Sequence, residues 1–328
     1  MNQRPRSIKL IHQPTPIEKM ERLSDTLGGP EIYMKRDDFT GSEISGNKVR
    51  KLEFSIAEAL DQGADMLITC GGMQSNHARA TAVAAAKLGI SSCLILSGTG
   101  KEQLNGNYFL DVLVGAKIKI VSPEQFHNEI EAIFARTKEE MEQQGYKPYI
   151  IPLGASNGIG TFGYVKAMEE ISRQEKELGI NFNKIVVAVG SGGTYAGLLL
   201  GSRLNGQEKE IYGINVSQDA DYFTNRIEEI LREAQDYLED KVNIKRSDIH
   251  ILDGYVGPGY ALNNSEQIES IKKVAQLEGI ILDPVYTGKA MHGLIEEIKK
   301  GRVFSKEDKI LFIHTGGQYG LFPTADRF

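Results

Sequence analysis

Ile185-Val186-Val187-Ala188-Val189-Gly190-Ser191-Gly192-Gly193-Thr194 runs from an unbroken apolar stretch into a glycine loop, and residues 195–204 follow with helical spacing. A short apolar run bounded by glycine reads as a strand buried on both faces. The same alternation extends in both directions. Upstream, strands are expected at 66–70, 92–96, 117–121 and 148–151, separated by helices at 78–88, 103–114 and 123–144. Helix 163–177 immediately precedes the quoted strand. A strand at 211–216, helices at 220–240, 265–278 and 289–300, and a last strand at 309–314 follow it. Residues 17–27 read as a short helix and 31–35 as a strand. Strands alternating with helices imply βαβ units and parallel sheets, an α/β fold. The loop 154–160 breaks the rhythm and reads as a domain boundary. Residues 14–36 are too few to form a core locally, so they pack with the second half. The expected architecture is a larger domain of residues 1–48 and 154–328 and a smaller inserted domain, 49–153. Each is a twisted, largely parallel sheet flanked by helices.

Composition narrows the function. The 328 residues carry a net charge of −6 with no long basic patch, which argues against nucleic acid as a partner. No apolar run approaches the ~18 residues of a membrane span, and residues 1–16 lack a leader's apolar core. Cys70 and Cys93 are the only cysteines, both within apolar runs, and read as buried thiols of a cytoplasmic protein. The six histidines show no metal-ligand spacing. Glycine, at 35 residues, falls in short clusters rather than one tract, as backbone turns near ligands do.

Gly190 to Thr194, between a buried strand and a helix N-terminus, can hold an anion on converging backbone N–H groups. A Walker loop would end in Gly-Lys-Ser/Thr, and none follows. A dinucleotide fingerprint needs glycine where Tyr195 stands and an acid about 20 residues on. What remains is one phosphate of a small cofactor, or a plain packing turn. A second turn, Gln74-Ser75-Asn76-His77, starts the helix at 78–88. Ser75 or Asn76 caps that helix, or the turn holds a carboxylate.

Gly46-Asn47-Lys48-Val49-Arg50-Lys51 opens another helix, capped by Asn47 or Ser45. Three cations in a first turn oppose the helix dipole. Either they form a solvated basic face, or Lys48 is an amine whose pKa must fall from about 10.4 so that it can act as a nucleophile. The loops 255–260 and 283–289 carry Tyr260 and Tyr286, as rim aromatics or as groups that stack and move protons. Thr315-Gly316-Gly317 ends a strand where ligands bind in open α/β sheets. A lysine, a one-phosphate cradle, a carboxylate turn and tyrosines together suit pyridoxal phosphate acting on an amino acid.

Pro14-Thr15-Pro16, Lys35-Arg36-Asp37-Asp38, Gly46-Asn47-Lys48 with Arg50-Lys51-Leu52-Glu53, Gln74-Ser75-Asn76-His77, Asp283-Pro284-Val285-Tyr286 and His314-Thr315-Gly316-Gly317 span the chain. In that combination the chain resembles a fold-type-II pyridoxal-phosphate enzyme of the tryptophan synthase β-like class. It is closest to the D-cysteine desulfhydrase and 1-aminocyclopropane-1-carboxylate deaminase group. The resemblance implies that Lys48 holds the cofactor and moves the Cα proton. Asn76 hydrogen-bonds the pyridoxal 3-oxygen, and Ser75 with the adjoining N–H groups, Asn76 and His77 binds the substrate carboxylate. Gly190, Ser191, Gly192, Gly193 and Thr194 hold the phosphate. Asn47 joins the cofactor set, Tyr286 stacks near the ring, and Tyr260 and Thr287 face the substrate. Ring-opening members carry glutamate after the tyrosine and leucine before the final glycine pair. This chain has Thr287 and Thr315, as the desulfhydrases do, with Thr315 reaching the pyridine nitrogen. Ser45 departs from the glycine of many relatives.

The implied reaction is α,β-elimination of D-cysteine to pyruvate, sulfide and ammonia by a homodimer. Alternatives are cyclopropane deamination, or elimination from chloroalanine or cysteate. A nicotinamide oxidoreductase is disfavoured by Tyr195. A non-catalytic binding module leaves Lys48, Ser75 and Tyr286 unexplained.

Overall fold

Two sheets organise the chain in the computed structural model, which describes residues 4–328. Met1 to Gln3, part of the stretch read for a leader, lie outside the described residues. The larger sheet has the order β1 (Ile17–Lys19), β2 (Glu31–Lys35), β10 (Lys309–Ile313), β7 (Lys184–Val189), β8 (Glu210–Asn215), β9 (His250–Leu252). Among the described residues, β1–β2 is the one antiparallel pair of this sheet. The smaller sheet is parallel throughout, in the order β5 (Lys117–Val121), β4 (Ser91–Ser97), β3 (Met66–Gly72), β6 (Pro148–Ile150). The α/β reading with two largely parallel sheets therefore holds. Residues 17–27, read as one helix, divide into β1 and α1 (Glu21–Leu27), and β9 was not anticipated.

Why β7 is apolar throughout follows from its place at the centre of the sheet. Side chains alternate faces along a strand. Ile185, Val187 and Val189 pack under α6 (Gly158–Leu178), α7 (Gly193–Leu204) and α8 (Ala220–Gln235), against Phe162, Leu199 and Ile227. Val186 and Ala188 face the other way, toward α9 (Ser265–Glu278) and α10 (Thr287–Lys300), against Ile271, Met291 and Leu294. Each fully buried Val or Leu contributes roughly 1.5–3 kcal/mol relative to exposure. The smaller sheet is covered likewise. Leu67 faces α2 (Asn47–Asp61) and α3 (Asn76–Leu88), through Val49, Leu52, Ile56 and Ala84. Met66, Ile68 and Cys70 face α5 (Pro123–Gln143), through Ile133 and Phe134. The short α4 (Gly106–Leu113) packs beside α3.

The chain passes between the sheets at Asn47-Lys48 and at Leu153-Gly154, and all four residues line one cleft. Strands β3, β7 and β10 direct their C-terminal ends at it through Gly71, Gly190 and Thr315. That is where open parallel sheets place ligands, because helix N-termini gather at that edge.

Candidate active site

The cleft has a volume of about 350 Å³. Its lysine comes from the first turn of α2. Gly46, at φ +104°, turns the chain into that helix, and a Cβ there would meet the Thr315 carbonyl at 2.8 Å. The cap is Gly46 itself, so neither Asn47 nor Ser45 plays the expected capping part. Asn47 instead donates through Nδ2 to Thr194 Oγ1 (2.9 Å) and accepts from Lys48 Nζ at Oδ1 (3.1 Å). Burial pushes the Lys48 ammonium down to about 8, with Asp283 partly opposing it.

The basic-face reading of this turn fails. Arg50 and Lys51 are 1% and 0% exposed. Lys51 donates to Ser156 Oγ at 2.9 Å, and Ser156 Oγ lies 2.7 Å from Ser191 Oγ. Burial, and then the charge of Lys48, hold the Lys51 amine well below its ordinary value. Sequence reasoning passed over Lys51 and Ser156. A usable signal was present: Lys48 and Lys51 are spaced i, i+3 and so share a helix face.

The glycine loop after β7 forms the opposite wall. Gly190 is required because a Cβ would lie 2.9 Å from Tyr286 Cε1, and Gly192 caps α7 at φ +84°. Ser191 and Thr194 complete this side, with α7 starting at Gly193. Ser75 caps α3 by accepting from Ala78 N–H (3.1 Å), which leaves its hydroxyl proton free. Asn76 and His77 follow on the same rim. His77 Nε2 lies 2.7 Å from Thr69 Oγ1, while its Nδ1 has no partner among the described residues. Burial, then Lys48 and Lys51, hold its imidazole well below its usual pKa.

Tyr286 presents its ring 5.8 Å from Lys48 Nζ, and its hydroxyl pairs with that of Tyr260 at 2.6 Å. Asp283 fixes this turn. Its Oδ2 accepts from Val285 and Tyr286 N–H (both 2.9 Å), and its Oδ1 from Thr287 N–H (2.8 Å).

A family model described as "Pyridoxal-phosphate dependent enzyme" matches residues 8–316. The chain belongs to this family. A mitochondrial bifunctional D-cysteine desulfhydrase/1-aminocyclopropane-1-carboxylate deaminase of Arabidopsis thaliana is 46% identical over 98% of this chain and 80% of its own. A D-cysteine desulfhydrase of Klebsiella pneumoniae is 43% identical over 96% of this chain and 95% of its own. The solved structure of an ACC deaminase homologue superposes with a TM-score of 0.88 at 41% identity, covering 98% of this chain and 95% of that one.

The residues present fit pyridoxal phosphate. Among the described residues the Lys48 and Lys51 amines hydrogen-bond only to an amide oxygen and a hydroxyl, so neither has a carboxylate partner in hydrogen-bond contact. Two such amines beside a glycine cradle call for an anion. Of the pyridoxal-phosphate enzyme's expected site residues, Asn47, Lys48, Ser75, Asn76, His77 and Tyr260 line the cleft. So do Gly190, Ser191, Gly192, Thr194, Tyr286 and Thr315. Gly193 lies behind this wall, where a Cβ would meet Ser156 Oγ at 2.7 Å. Thr287 departs from expectation. It is fully buried away from the lining, and its hydroxyl donates to Asp283 Oδ1 at 2.7 Å. Burying that hydroxyl next to a carboxylate four residues back is the local solution for closing the turn. The outer rim, Phe126 and His127 of α5 with Gln218 and Tyr222, was not anticipated either.

Proposed function

We propose that this enzyme catalyses α,β-elimination of D-cysteine, releasing hydrogen sulfide, pyruvate and ammonia. The single observation that carries the reading is that, among the described residues, no Asp or Glu side chain lines the cleft, while the neutral Thr315 does, just past the end of β10. Pyridoxal phosphate bound here supplies an electron sink for charge developing at the amino acid's Cα. An acid at the pyridine nitrogen strengthens that sink, whereas a neutral hydroxyl gives a weaker one. The weaker sink suffices where a thiolate leaves from Cβ, and is a poor match for breaking a carbon–carbon bond. The names of the Arabidopsis and Klebsiella relatives support both the substrate and its D configuration.

In this reading Lys48, half neutral near pH 8, takes the Cα proton, steadied by Asn47 Oδ1. Ser75 uses one lone pair on Ala78 N–H, and its own proton goes to the substrate carboxylate at the α3 N-terminus. In the Tyr260–Tyr286 pair one hydroxyl donates to the other. The accepting hydroxyl's own proton is then free for the departing sulfur. Gly190 to Thr194, with Lys51 behind Ser156 and Ser191, hold the phosphate.

Cyclopropane deamination is the second reading, favoured by the bifunctional name of the Arabidopsis relative. A substitution at Thr315, the threonine that lines the cleft, separates the two. Thr315→Asp, which places an acid there, is expected to move preference toward 1-aminocyclopropane-1-carboxylate by tenfold or more, read as the ratio of kcat/KM values, about 1.4 kcal/mol. An unchanged ratio would remove the weight placed on this threonine. The two-unit division at Val49 and Gly154 is supported by the larger sheet taking its strands from before Val49 and after Gly154, and the smaller sheet taking its own from between them. A homodimer and a reducing cytoplasm belong to the same proposal. The buried free thiols of Cys70 and Cys93 support the compartment.

A further inference from the structure

We infer that Asn107, on α4 and outside the cleft, is a positioning residue that forces Asn76 to present its amide N–H₂, not its oxygen, to the cofactor. Asn107 and Arg79 are both fully buried. Arg79 donates to the Glu43 and Ser45 carbonyls through its two terminal nitrogens, at 2.6 and 3.2 Å, and through Nε to Asn107 Oδ1 at 3.0 Å. A guanidinium accepts nothing, so the Asn107 atom facing it must be oxygen. The other end of the amide lies 2.9 Å from the Gln74 carbonyl, which only accepts, so that atom must be nitrogen. Two independent neighbours therefore fix the same orientation.

Asn107 Nδ2 has a second hydrogen, and it goes to Asn76 Oδ1 at 2.9 Å. Asn76 is thereby fixed in turn, with its oxygen inward. Its Nδ2 donates to no atom of the described residues, and Asn76 lines the cleft. The α4 backbone joins the arrangement: Asn107 N–H donates to Gln74 Oε1 at 2.9 Å. Polarity thus passes in one direction, from a donor that cannot be reversed, through two amides, to a donor aimed into the site. A cofactor oxygen that carries negative charge needs a donor there, because a hydrogen bond to the charged form stabilises it. This inference rests on the assignment of Asn76 to the pyridoxal 3-oxygen.

The test uses the full-length cofactor-loaded enzyme and a double-mutant cycle of Asn107→Asp with Asn76→Ala. Aspartate keeps the acceptor for Arg79 but has no hydrogen for Asn76, whose amide then turns its oxygen to the cleft. Asn76→Ala and Asn107→Asp are each expected to raise the pyridoxal phosphate dissociation constant roughly tenfold or more. The pH midpoint of the bound cofactor's visible band should move upward. Asn107→Asp should add nothing in the Asn76→Ala background, since it acts through that side chain. A full effect of Asn107→Asp in the absence of Asn76, or none in its presence, overturns the inference. If Asn76→Ala itself changes neither quantity, the site assignment fails instead. If the aspartate variant does not fold, Asn107→Ser, too short to reach Asn76, carries the same cycle with the same expectations.

Discussion

Lys48→Ala is expected to lower turnover by at least about 10²–10⁴-fold, because one substitution removes both the cofactor's attachment point and the proton carrier. The amine is prepared for both tasks by burial, which brings its pKa to about 8. A group lowered in this way is protonated below that pH and neutral above it. Capture of added pyridoxal phosphate by the cofactor-free wild type should therefore accelerate as pH rises through about 8 and then level off. An ordinary lysine would still be gaining neutral fraction near its usual pKa of about 10.4. Stopped-flow absorbance reads this directly. Near-wild-type turnover in the alanine variant would remove Lys48 from its assigned role.

The second large effect is on stability. Arg50→Met is expected to cost about 3–5 kcal/mol, since it removes one partner from a buried charge network. Arg50 reaches Asp37 through Nε and Nη2 (2.9 and 2.8 Å) and Glu170 through Nη1 and Nη2 (3.1 and 3.0 Å). Lys35 Nζ meets Glu170 Oε1 at 2.5 Å, and the Tyr164 hydroxyl meets Asp37 Oδ2 at 2.5 Å. Two cations and two anions balance, and the four side chains are at most 2% exposed. Burial alone would raise the Asp37 carboxyl, but Arg50 and Lys35 hold it below its usual value. Without Arg50, two carboxylates share one ammonium. Urea unfolding checks this, and a loss below about 1 kcal/mol would show that the network relaxes around the gap. Because Arg50 stands two residues beyond Lys48, the network also anchors the helix turn that carries the catalytic amine.

How much of this was legible depended on whether the deciding interaction was local. The βα rhythm was readable because central strands such as β7 are apolar on both faces and glycines mark their ends. The motif residues were readable because helix N-termini and glycine turns are local chemistry. The solvated basic face stayed open for Arg50 because one of its two acids, Glu170, lies 120 positions away. Thr287 was placed at the substrate, whereas its hydroxyl closes the Asp283 turn. Asn107 carried no signal at all, since its meaning comes from Arg79 and Gln74 in space. The three-residue strands β1 and β9 are too short for a period of two to emerge.

The central claim concerns the leaving group, and a paired product assay of the cofactor-loaded enzyme tests it most directly. Sulfide and pyruvate are measured from D-cysteine, and 2-oxobutyrate from 1-aminocyclopropane-1-carboxylate. A cleft with Thr315 and no acid predicts sulfide and pyruvate in equal amounts with no 2-oxobutyrate. Formation of 2-oxobutyrate without sulfide would contradict it.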